Sequence, residues 1–351
     1  MPGRLPGTGR QAQAFRVCLP AGVTCQQGRQ ARERETTTVS RRGWALFAAM
    51  SVIWGVPYLL IKVAVAGVAP PVLVLARVGV GAALLLPFAI SRGQLAVLVP
   101  RWRWLMAFAF VEIIIPWLLL SEAETRLPSS MSGLLVASVP IIVVVFSRLT
   151  GGSDRLTPVR WAGLLAGLGG VALLAAPSAA GGDAVSVAEV LLVAVCYSTG
   201  PLIASRKLGD LPPLGMTAAC LAFASVLYAP LAALDWPAAV PSWRVLGAMA
   251  GLAVVCTAAA FPLFFLLIAD AGPARASVIT YVNPAVAVAL GVGLLGERFT
   301  PAMGGAFALI LGGSVLATRA GGRGAASPEG EPVPEPSYAP EPEPGAAPGR
   351  P

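Results

Sequence analysis

The sequence contains no histidine and few charged residues, and both shortages exclude whole classes of protein. Without histidine, a Ser-His-Asp triad, an HExxH zinc site and histidine-based acyl transfer cannot be built. Charged residues make up 12% of the 351 residues, against roughly 25% in soluble domains. Hydrophobic residues make up 56%, which leaves too little polar surface to cover a globule in water. Composition therefore predicts that lipid is the solvent of this chain.

Lysine and cysteine are also scarce, and their positions exclude further functions. The only lysines are Lys62 and Lys207, neither follows a glycine, and a P-loop is therefore absent. The five cysteines have no spacing typical of a disulfide framework or a metal site. We expect no cofactor, no metal and no enzymatic activity. A Ser-Lys or paired-carboxylate membrane enzyme acting on a lipid or prenyl substrate is the alternative, and a membrane scaffold without transport is the third candidate.

Ten apolar runs follow one another between short polar or Pro/Gly joints. Each is about as long as the ~20 residues that a bilayer requires. None shows strand-like alternation, and backbone groups in lipid must be satisfied within each segment, so the runs predict helices. They cover residues 44–64, 72–91, 104–121, 128–149, 159–177, 187–205, 213–234, 244–268, 274–295 and 301–318. The predicted fold class is an all-α integral membrane protein with ten transmembrane helices.

The two ends of the chain lack such runs. Residues 1–43 are rich in Arg, Gln, Gly and Thr and have no apolar period, which predicts a disordered cytoplasmic tail. A misassigned start codon explains this tail equally well. It has no signal-peptide core, so the first apolar run is expected to be a retained anchor. Residues 320–351 are rich in Pro and Glu and predict a second disordered cytoplasmic tail.

A pattern of acid-Arg-x-Thr-Pro occurs twice, at Asp154–Pro158 and at Glu297–Pro301, 143 residues apart. The same separation relates Gly169-Gly170 to Gly312-Gly313, Pro87 to Pro230 and Pro70 to Pro213. Pro140 falls on Pro284 with a slip of one residue. A shared offset over most of the chain indicates an internal duplication.

These motifs, in this order, resemble the EamA-type branch of the drug/metabolite transporter superfamily. The resemblance covers about residues 44–318 and rests on Trp54-Gly55 with Tyr58 and Lys62, on Pro284, and on Gly296-Glu297-Arg298-Phe299-Thr300-Pro301. The first half departs from the usual Gly-Glu-Arg with Ser153-Asp154-Arg155. The resemblance implies two EamA-like repeats, 44–177 (helices 1–5) and 187–319 (helices 6–10). It also implies a secondary transporter of the inner or plasma membrane that exports a small metabolite, such as an amino acid or a toxic analogue.

The net charge of +8 does not indicate a nucleic-acid partner, because the arginines cluster in the gaps between apolar runs. With the N-terminus in the cytoplasm, 20 of the 25 Lys and Arg residues lie inside and two lie within runs. The outside holds only Arg126, Arg244 and Arg298. This asymmetry predicts that both termini are cytoplasmic.

Each predicted half contains five helices, which is an odd number. The second half must therefore insert upside down relative to the first. Such an inverted-topology repeat is the construction of many secondary transporters, in which one site is exposed alternately to either side of the membrane. The fold is thus predicted as two inverted-topology five-helix repeats that work by alternating access on a small-molecule substrate.

Charged and aromatic residues within the runs are candidates for the substrate pathway. Trp54, Tyr58 and Lys62 are spaced at i, i+4 and predict one helix face. Lys62 either extends its ammonium to the interface or forms a cationic rim that attracts an anionic or zwitterionic substrate. Arg77 in helix 2 and Glu112 in helix 3, the one acid well inside a run, come to similar depths. We expect them to pair, and proton coupling through Glu112 is the alternative.

Helices 3, 4, 8 and 9 each contain a proline, and the four are predicted to act as hinges or gates. They are Pro116, Pro140, Pro262 and Pro284. Tyr281 and Asn283 precede Pro284 and are expected to offer hydrogen bonds to substrate. The resemblance supports this, because it implies that helices 4 and 9 line the central pathway. Simple packing of proline in membrane helices is the other reading.

Helices 5 and 10 carry small residues at the spacing that lets helices approach closely. They include Gly163, Gly167, Gly169-Gly170, Gly304-Gly305 and Gly312-Gly313. Two interpretations are open. The small faces pack within their own half, or they form the contact of a homodimer.

The predicted orientation is tested by fusing alkaline phosphatase to truncated chains. The enzyme folds only outside the cytoplasm, so a fusion after Arg319 should be inactive and a fusion after Asp183 should be active. The reverse pattern would disprove the ten-helix arrangement with both termini inside.

Overall fold

The computed structural model describes residues 40–149, 157–181, 183–272 and 276–318, and every regular element in these ranges is helical. The predicted tails before residue 40 and after residue 318 lie outside this part, as does the Ser153-Asp154-Arg155 joint. Helix 1 begins at Arg41, slightly before the predicted tail boundary. The reason is an N-cap, because the Ser40 hydroxyl accepts a hydrogen bond of 2.9 Å from the Gly43 amide.

We number the helices α1 to α10 along the chain and divide the interrupted ones. Six are uninterrupted: α2 Pro70–Ser91, α5 Pro158–Ala180, α6 Ala184–Lys207, α7 Pro213–Leu234, α9 Ile279–Leu295 and α10 Pro301–Thr318. The remainder are α1a Arg41–Ile53 and α1b Pro57–Val65, α3a Trp102–Ala109 and α3b Ile115–Arg126, α4a Ser129–Val136 and α4b Val139–Leu149, and α8a Trp243–Ala250 and α8b Ala260–Ala271.

Nine of the described helices are long and apolar enough to cross a membrane. The helix α9 is apolar but has 17 residues. The chain is therefore a multi-pass helical membrane protein, as the composition predicted. The count of ten crossings and the inverted relation between the halves stay predictions.

Helices of the first half pack extensively against helices of the second half. The pairs in contact are α5 with α10, α2 with α7, α4 with α9, α1 with α8, and α3 with α6. In three pairs, α2–α7, α4–α9 and α5–α10, the two helices occupy corresponding positions in their halves. In the other two, the partners are crossed: α1 corresponds to α6 but packs on α8, and α3 corresponds to α8 but packs on α6. Each apolar cluster of the described interior consequently contains residues of both halves.

The small faces of α5 and α10 pack against each other, across the halves. A Cβ atom on Gly163 would lie 2.6 Å from the backbone nitrogen of Ala317, and one on Gly313 would lie 2.5 Å from that of Gly167. Only glycine permits such close approach of the two backbones. The interpretation that each small face packs within its own half was therefore wrong. A homodimer contact through these helices stays a prediction.

Adjacent glycines in α10 provide a matched test of this packing. Gly313→Ala should destabilise the protein by about 1–3 kcal/mol, because its Cβ overlaps the backbone of α5. Gly312→Ala should leave stability unchanged or raise it by up to ~1 kcal/mol, because glycine disfavours helix interiors and no atom lies within 4 Å of its added Cβ. Thermal unfolding of the purified variants in detergent measures both. Equal effects would contradict the α5–α10 contact.

Candidate functional site

Four helices are interrupted near their middles. The helix α1 is broken by a turn at Trp54–Val56, and α4 is broken by a turn at Ala137 and Ser138. Between α3a and α3b lies a π-helical segment, Phe110–Ile114, and a longer one, Gly251–Ala259, lies between α8a and α8b. Such π-helical segments occur frequently at functional sites. The interruptions mark the middle of the bundle as the place to look for a site.

Three of the predicted hinge prolines lie next to these interruptions. Pro116 follows the first π-helical segment, Pro262 follows the second, and Pro140 follows the break in α4. Pro284 differs, because it lies inside the uninterrupted helix α9. The two members of the predicted pair Pro140 and Pro284 therefore have different local structures. A hinge motion at any of the four stays a prediction.

Arg77 is the most deeply buried arginine of the described bundle interior, with 8% of its side chain exposed. Its Nε donates a hydrogen bond of 2.9 Å to the Thr257 hydroxyl, and its Cζ lies 3.6 Å from the centroid of the Trp117 ring. The Thr257 hydroxyl in turn donates to the Leu252 carbonyl at 2.8 Å. That bond runs back five residues, so the π-helical segment of helix 8 orients the threonine towards Arg77.

The expected pair between Arg77 and Glu112 does not form. The Glu112 side chain lies against Gly200 of α6, where a Cβ atom would overlap Oε2. This oxygen is buried and has no hydrogen-bond partner among the described residues. Glu112 belongs to the π-helical segment, whose wider turn departs from the ideal helix on which the pairing was estimated. The prediction of a pair was therefore wrong.

Aromatic side chains complete the surroundings of Arg77. Tyr58 of α1b is 8% exposed, and Tyr197 of α6 lies near both Arg77 and Trp117. Tyr58 was predicted from the sequence, whereas Trp117, Tyr197 and Thr257 were missed. The duplication could have found one of them, because Tyr197 lies 143 residues after Trp54. Nothing in the sequence indicated that a threonine of helix 8 would contact Arg77.

Lys62 joins α1b to the end of α3b. Its Nζ donates hydrogen bonds to the backbone carbonyls of Glu124, at 2.7 Å, and Leu127, at 2.8 Å. These carbonyls have no partners within α3b, so the ammonium satisfies the helix end. Lys62 is partly exposed, and its extension to the interface and its role as a cationic rim stay predictions. Glu124 itself has no exposed surface, although it lies beyond the end of the predicted run 104–121.

Glu297 caps helix α4a from the far end of the chain. Its carboxylate accepts hydrogen bonds from the amides of Ser129, at 2.7 Å, and Ser130, at 2.9 Å, and from the Ser129 hydroxyl at 2.8 Å. Gly296 has φ of 67° and ends α9 in the left-handed conformation, which turns the chain so that Glu297 reaches back. The sequence analysis predicted Gly296-Glu297 as a joint between two helices, but it did not predict that Glu297 contacts the start of α4a.

The electrostatics of Glu297 follow from these contacts. Burial alone would raise the pKa of its carboxyl, but the donors of Ser130 and Ser129 outweigh burial and hold the pKa below the ordinary value. A negative charge is also favoured at the N-terminus of a helix. Glu297 is thus ionised at neutral pH and binds α4a to the α9–α10 joint.

The remaining predicted pathway residues contact protein groups. Trp54 packs on Phe261 and Phe264 of helix 8, because the break in α1 separates it from the face of Tyr58 and Lys62. The Asn283 amide, oriented to suit its neighbours, donates to the carbonyls of Ile279 and Ser51. The Tyr281 hydroxyl lies 3.0 Å from that of Thr318 on the surface. The predicted shared face of Trp54, Tyr58 and Lys62 was wrong for Trp54.

The bundle differs between its two ends. We call the end with Ser40 and Thr318 the terminal face and the opposite end the Glu297 face. At the Glu297 face, α4a packs on α9 and α1b. At the terminal face, α1a packs on α8b and α9 around its own apolar cluster, whereas α4b packs on α6 and α10. In the described part of the chain, α4b makes no extensive contact with α1a or α9, so these helices separate towards the terminal face.

This arrangement is that of a multi-pass helical membrane protein, and comparison with known proteins assigns the family. The model of the EamA-like transporter family matches the chain twice, at residues 41–176 and at 186–319. The chain therefore belongs to the EamA-like transporter family.

Similar proteins agree with this assignment. YedA of Escherichia coli (strain K12), described as an uncharacterized inner membrane transporter, is 30% identical over 264 residues, 73% of this chain and 83% of YedA. YvbV of Bacillus subtilis (strain 168), described as an uncharacterized transporter, is 25% identical over 276 residues, 76% of this chain and 88% of YvbV. A crystal structure whose description names no function matches with a TM-score of 0.57 at 25% identity, covering 80% of this chain and 98% of its own.

The Glu297 contact leads to a pH-dependent prediction. Glu297→Gln should destabilise the protein by about 1–2 kcal/mol at pH 7, because charge-assisted hydrogen bonds to the helix end are lost. A carboxyl whose pKa is lower in the folded than in the unfolded protein stabilises the fold at pH values above the ordinary glutamate pKa of about 4.3. This stabilisation is lost as the pH falls from that value through the lower folded-state pKa. The gap between wild type and variant should therefore persist from neutral to mildly acidic pH and narrow below that value.

Thermal unfolding of both proteins across this pH range is the measurement. Asp235→Asn is the matched control, because Asp235 is an exposed acid at the same face. A gap that stays constant down to the lowest pH, or an equal gap in the control, would contradict the contact.

Proposed function

We propose that this chain is a secondary transporter that moves a small metabolite across the inner or plasma membrane by alternating access, in the direction of efflux. Family membership supports transport. The name of YedA, an inner membrane transporter, supports the membrane. The direction rests on resemblance to the family.

One observation carries the mechanism. The helices α4 and α9 are held together at the Glu297 face and separate at the terminal face, while α1 and α4 are broken between the two faces. A transporter needs one closed and one open end around a central site, together with helices that can change shape at that site. In the present state the closed end is the Glu297 face, which the charge count predicts to lie outside. The substrate would accordingly enter from the cytoplasm.

Opening the Glu297 face requires particular contacts to break. The Glu297 carboxylate must leave the N-terminus of α4a, and the Lys62 ammonium must leave the end of α3b. Both contacts join separate helices through polar groups, which can exchange for water when the end opens. They are thus suited to a closure that forms and breaks in each transport cycle.

Proton coupling is a proposal for Glu112. Its carboxyl is buried against Gly200 with one oxygen unpartnered among the described residues. With Arg77 bound elsewhere, no cation pairs with it in the part of the chain that the structure describes. An isolated carboxyl in such a place is inexpensive to bury only when it carries a proton. Binding and release of that proton would couple transport to a proton gradient.

The competing class is a membrane enzyme acting on a lipid or prenyl substrate, and one experiment separates the two. Proteoliposomes would be loaded with a defined mixture of amino acids and small organic acids, diluted, and their contents followed by mass spectrometry. A transporter releases certain compounds unchanged and faster than protein-free liposomes do. An enzyme would convert a compound to one of another mass.

The role of the Glu297 face is tested in the same liposomes. Cysteines placed at Ser129 and Glu297, in a chain without its native cysteines, would be joined by a short bifunctional thiosulfonate reagent. The crosslink should abolish release, and a reductant should restore it, because the closed end can no longer open. The two single-cysteine chains treated alike are the controls. Undiminished release from the crosslinked protein would overturn alternating access through this face.

A further inference from the structure

We infer that the substrate carries a carboxylate next to an apolar or aromatic body, and that Arg77 binds this carboxylate. The inference rests on the proposed transport function and names its substrate class. It is carried by a buried cation that has no counterion among the residues the structure describes and that lies where helices of both halves meet.

No acid of the described residues forms an ion pair with Arg77. Within the described ranges its one hydrogen-bond partner is the neutral Thr257 hydroxyl, reached through Nε. Neither Nη atom donates a hydrogen bond to a described residue. Neither belongs to the fully buried polar atoms that lack a partner, so both retain some accessible surface. Glu112, the acid that the sequence predicted as its partner, is directed at Gly200 instead. Buried charges in proteins are normally paired, so the Nη groups are available for an anion from outside.

The contacts that Arg77 does make hold it ready for a planar anion. The Trp117 ring supports one face of the guanidinium, and Thr257 fixes the Nε edge. The edge formed by the Nη groups remains, and it carries parallel N–H donors. A guanidinium binds carboxylate through two such parallel donors. A lysine would offer a point charge without this geometry.

The surroundings decide between anions. The groups close enough to influence Arg77 are Tyr197, Cys256 and Tyr58, none of them cationic. The Lys62 ammonium is engaged by backbone carbonyls. A phosphate monoester brings about two negative charges at neutral pH and would be incompletely balanced by one guanidinium. A carboxylate brings one, and the aromatic walls favour an apolar body attached to it.

The position of the site fits transport. Arg77 lies seven residues into α2, about 10 Å from its start at the Glu297 face. Trp117 and Thr257 belong to the interrupted helices 3 and 8, and Tyr197 belongs to α6. Movement at the π-helical segments would therefore change the contacts of Arg77. A substrate bound there would affect the same helices that must rearrange between states.

The alternative is a purely structural arginine that ties α2 to helices 3 and 8. Both roles predict that Arg77 variants lose stability. They differ in ligand discrimination, because a structural arginine has no preference among solutes. The test is consequently a comparison between two solutes that differ in charge alone.

The probes are 3-phenylpropionate and its uncharged amide, added to the full-length protein in detergent. Binding is read from tryptophan fluorescence, to which Trp117 contributes, and from thermal unfolding. The acid should bind at least about tenfold more tightly than the amide, because charge-assisted hydrogen bonds are lost in the amide. At saturation the acid should raise the unfolding temperature by a few degrees. Equal binding of acid and amide, or no binding of the acid, would overturn the inference.

Variants then assign the effect to Arg77. The preference for the acid should disappear in Arg77→Gln and be weakened in Arg77→Lys. Arg101→Gln, which removes an exposed arginine paired with Asp210 on the terminal face, should retain it. If Arg77→Gln does not fold, the comparison of acid and amide on wild type and Arg77→Lys still decides. A preference that persists undiminished in both Arg77 variants would overturn the assignment.

Failure of the inference and failure of the proposed function give different results. If the proteoliposomes release neutral or cationic compounds without any preference for carboxylates, the proposed transport is supported and the carboxylate site is contradicted. Arg77-dependent binding of the acid without release of any compound leaves the site standing and removes transport.

Discussion

The arrangement of this chain depends on one constraint, the high free-energy cost of leaving a charge unpaired in an apolar interior. Lipid and packed side chains cannot hydrate an ammonium, a guanidinium or a carboxylate, so a charge without partners on another helix is costly to bury. Lys62 finds them on the end of α3b, and Glu297 finds them on the start of α4a. Each solution joins two helices that are distant in sequence. The charged groups thereby determine which helices stay together at the Glu297 face and which are free to separate.

Much of the fold followed from the sequence because lipid imposes simple rules. A helix that crosses a bilayer needs an apolar run of a certain length, so the runs predicted the helices closely. The interruptions were less accessible. Proline at 116 and 262 gave a hint of them, but π-helical segments have no composition of their own. The Glu112 side chain was misplaced for this reason, since depth along an ideal helix does not give the direction of a side chain beyond a widened turn.

The partners of charged groups were the least predictable part of the site. Ser129 and Glu297 are separated by 168 residues, and no periodicity in either segment indicates the other. Glu124 lies near the end of α3b, yet it is fully buried, and its backbone carbonyl accepts a hydrogen bond from Lys62 of α1b. The motifs Trp54-Gly55 and Gly296-Glu297 do lie at structurally distinctive places. Their physical roles, a helix break and a helix cap, required the packed structure.

The halves match in outline but not in their charged groups. The offset of 143 residues relates Pro70 to Pro213 and Pro87 to Pro230. By the same offset, the position in the second half that corresponds to Arg77 is Cys220. Lys62 has Ser205 at the corresponding place. Gene conversion, which copies one duplicate over the other, would therefore preserve the helices and their pairing while erasing the buried cations. Selection on the charged residues should thus keep the two halves different in sequence at these positions.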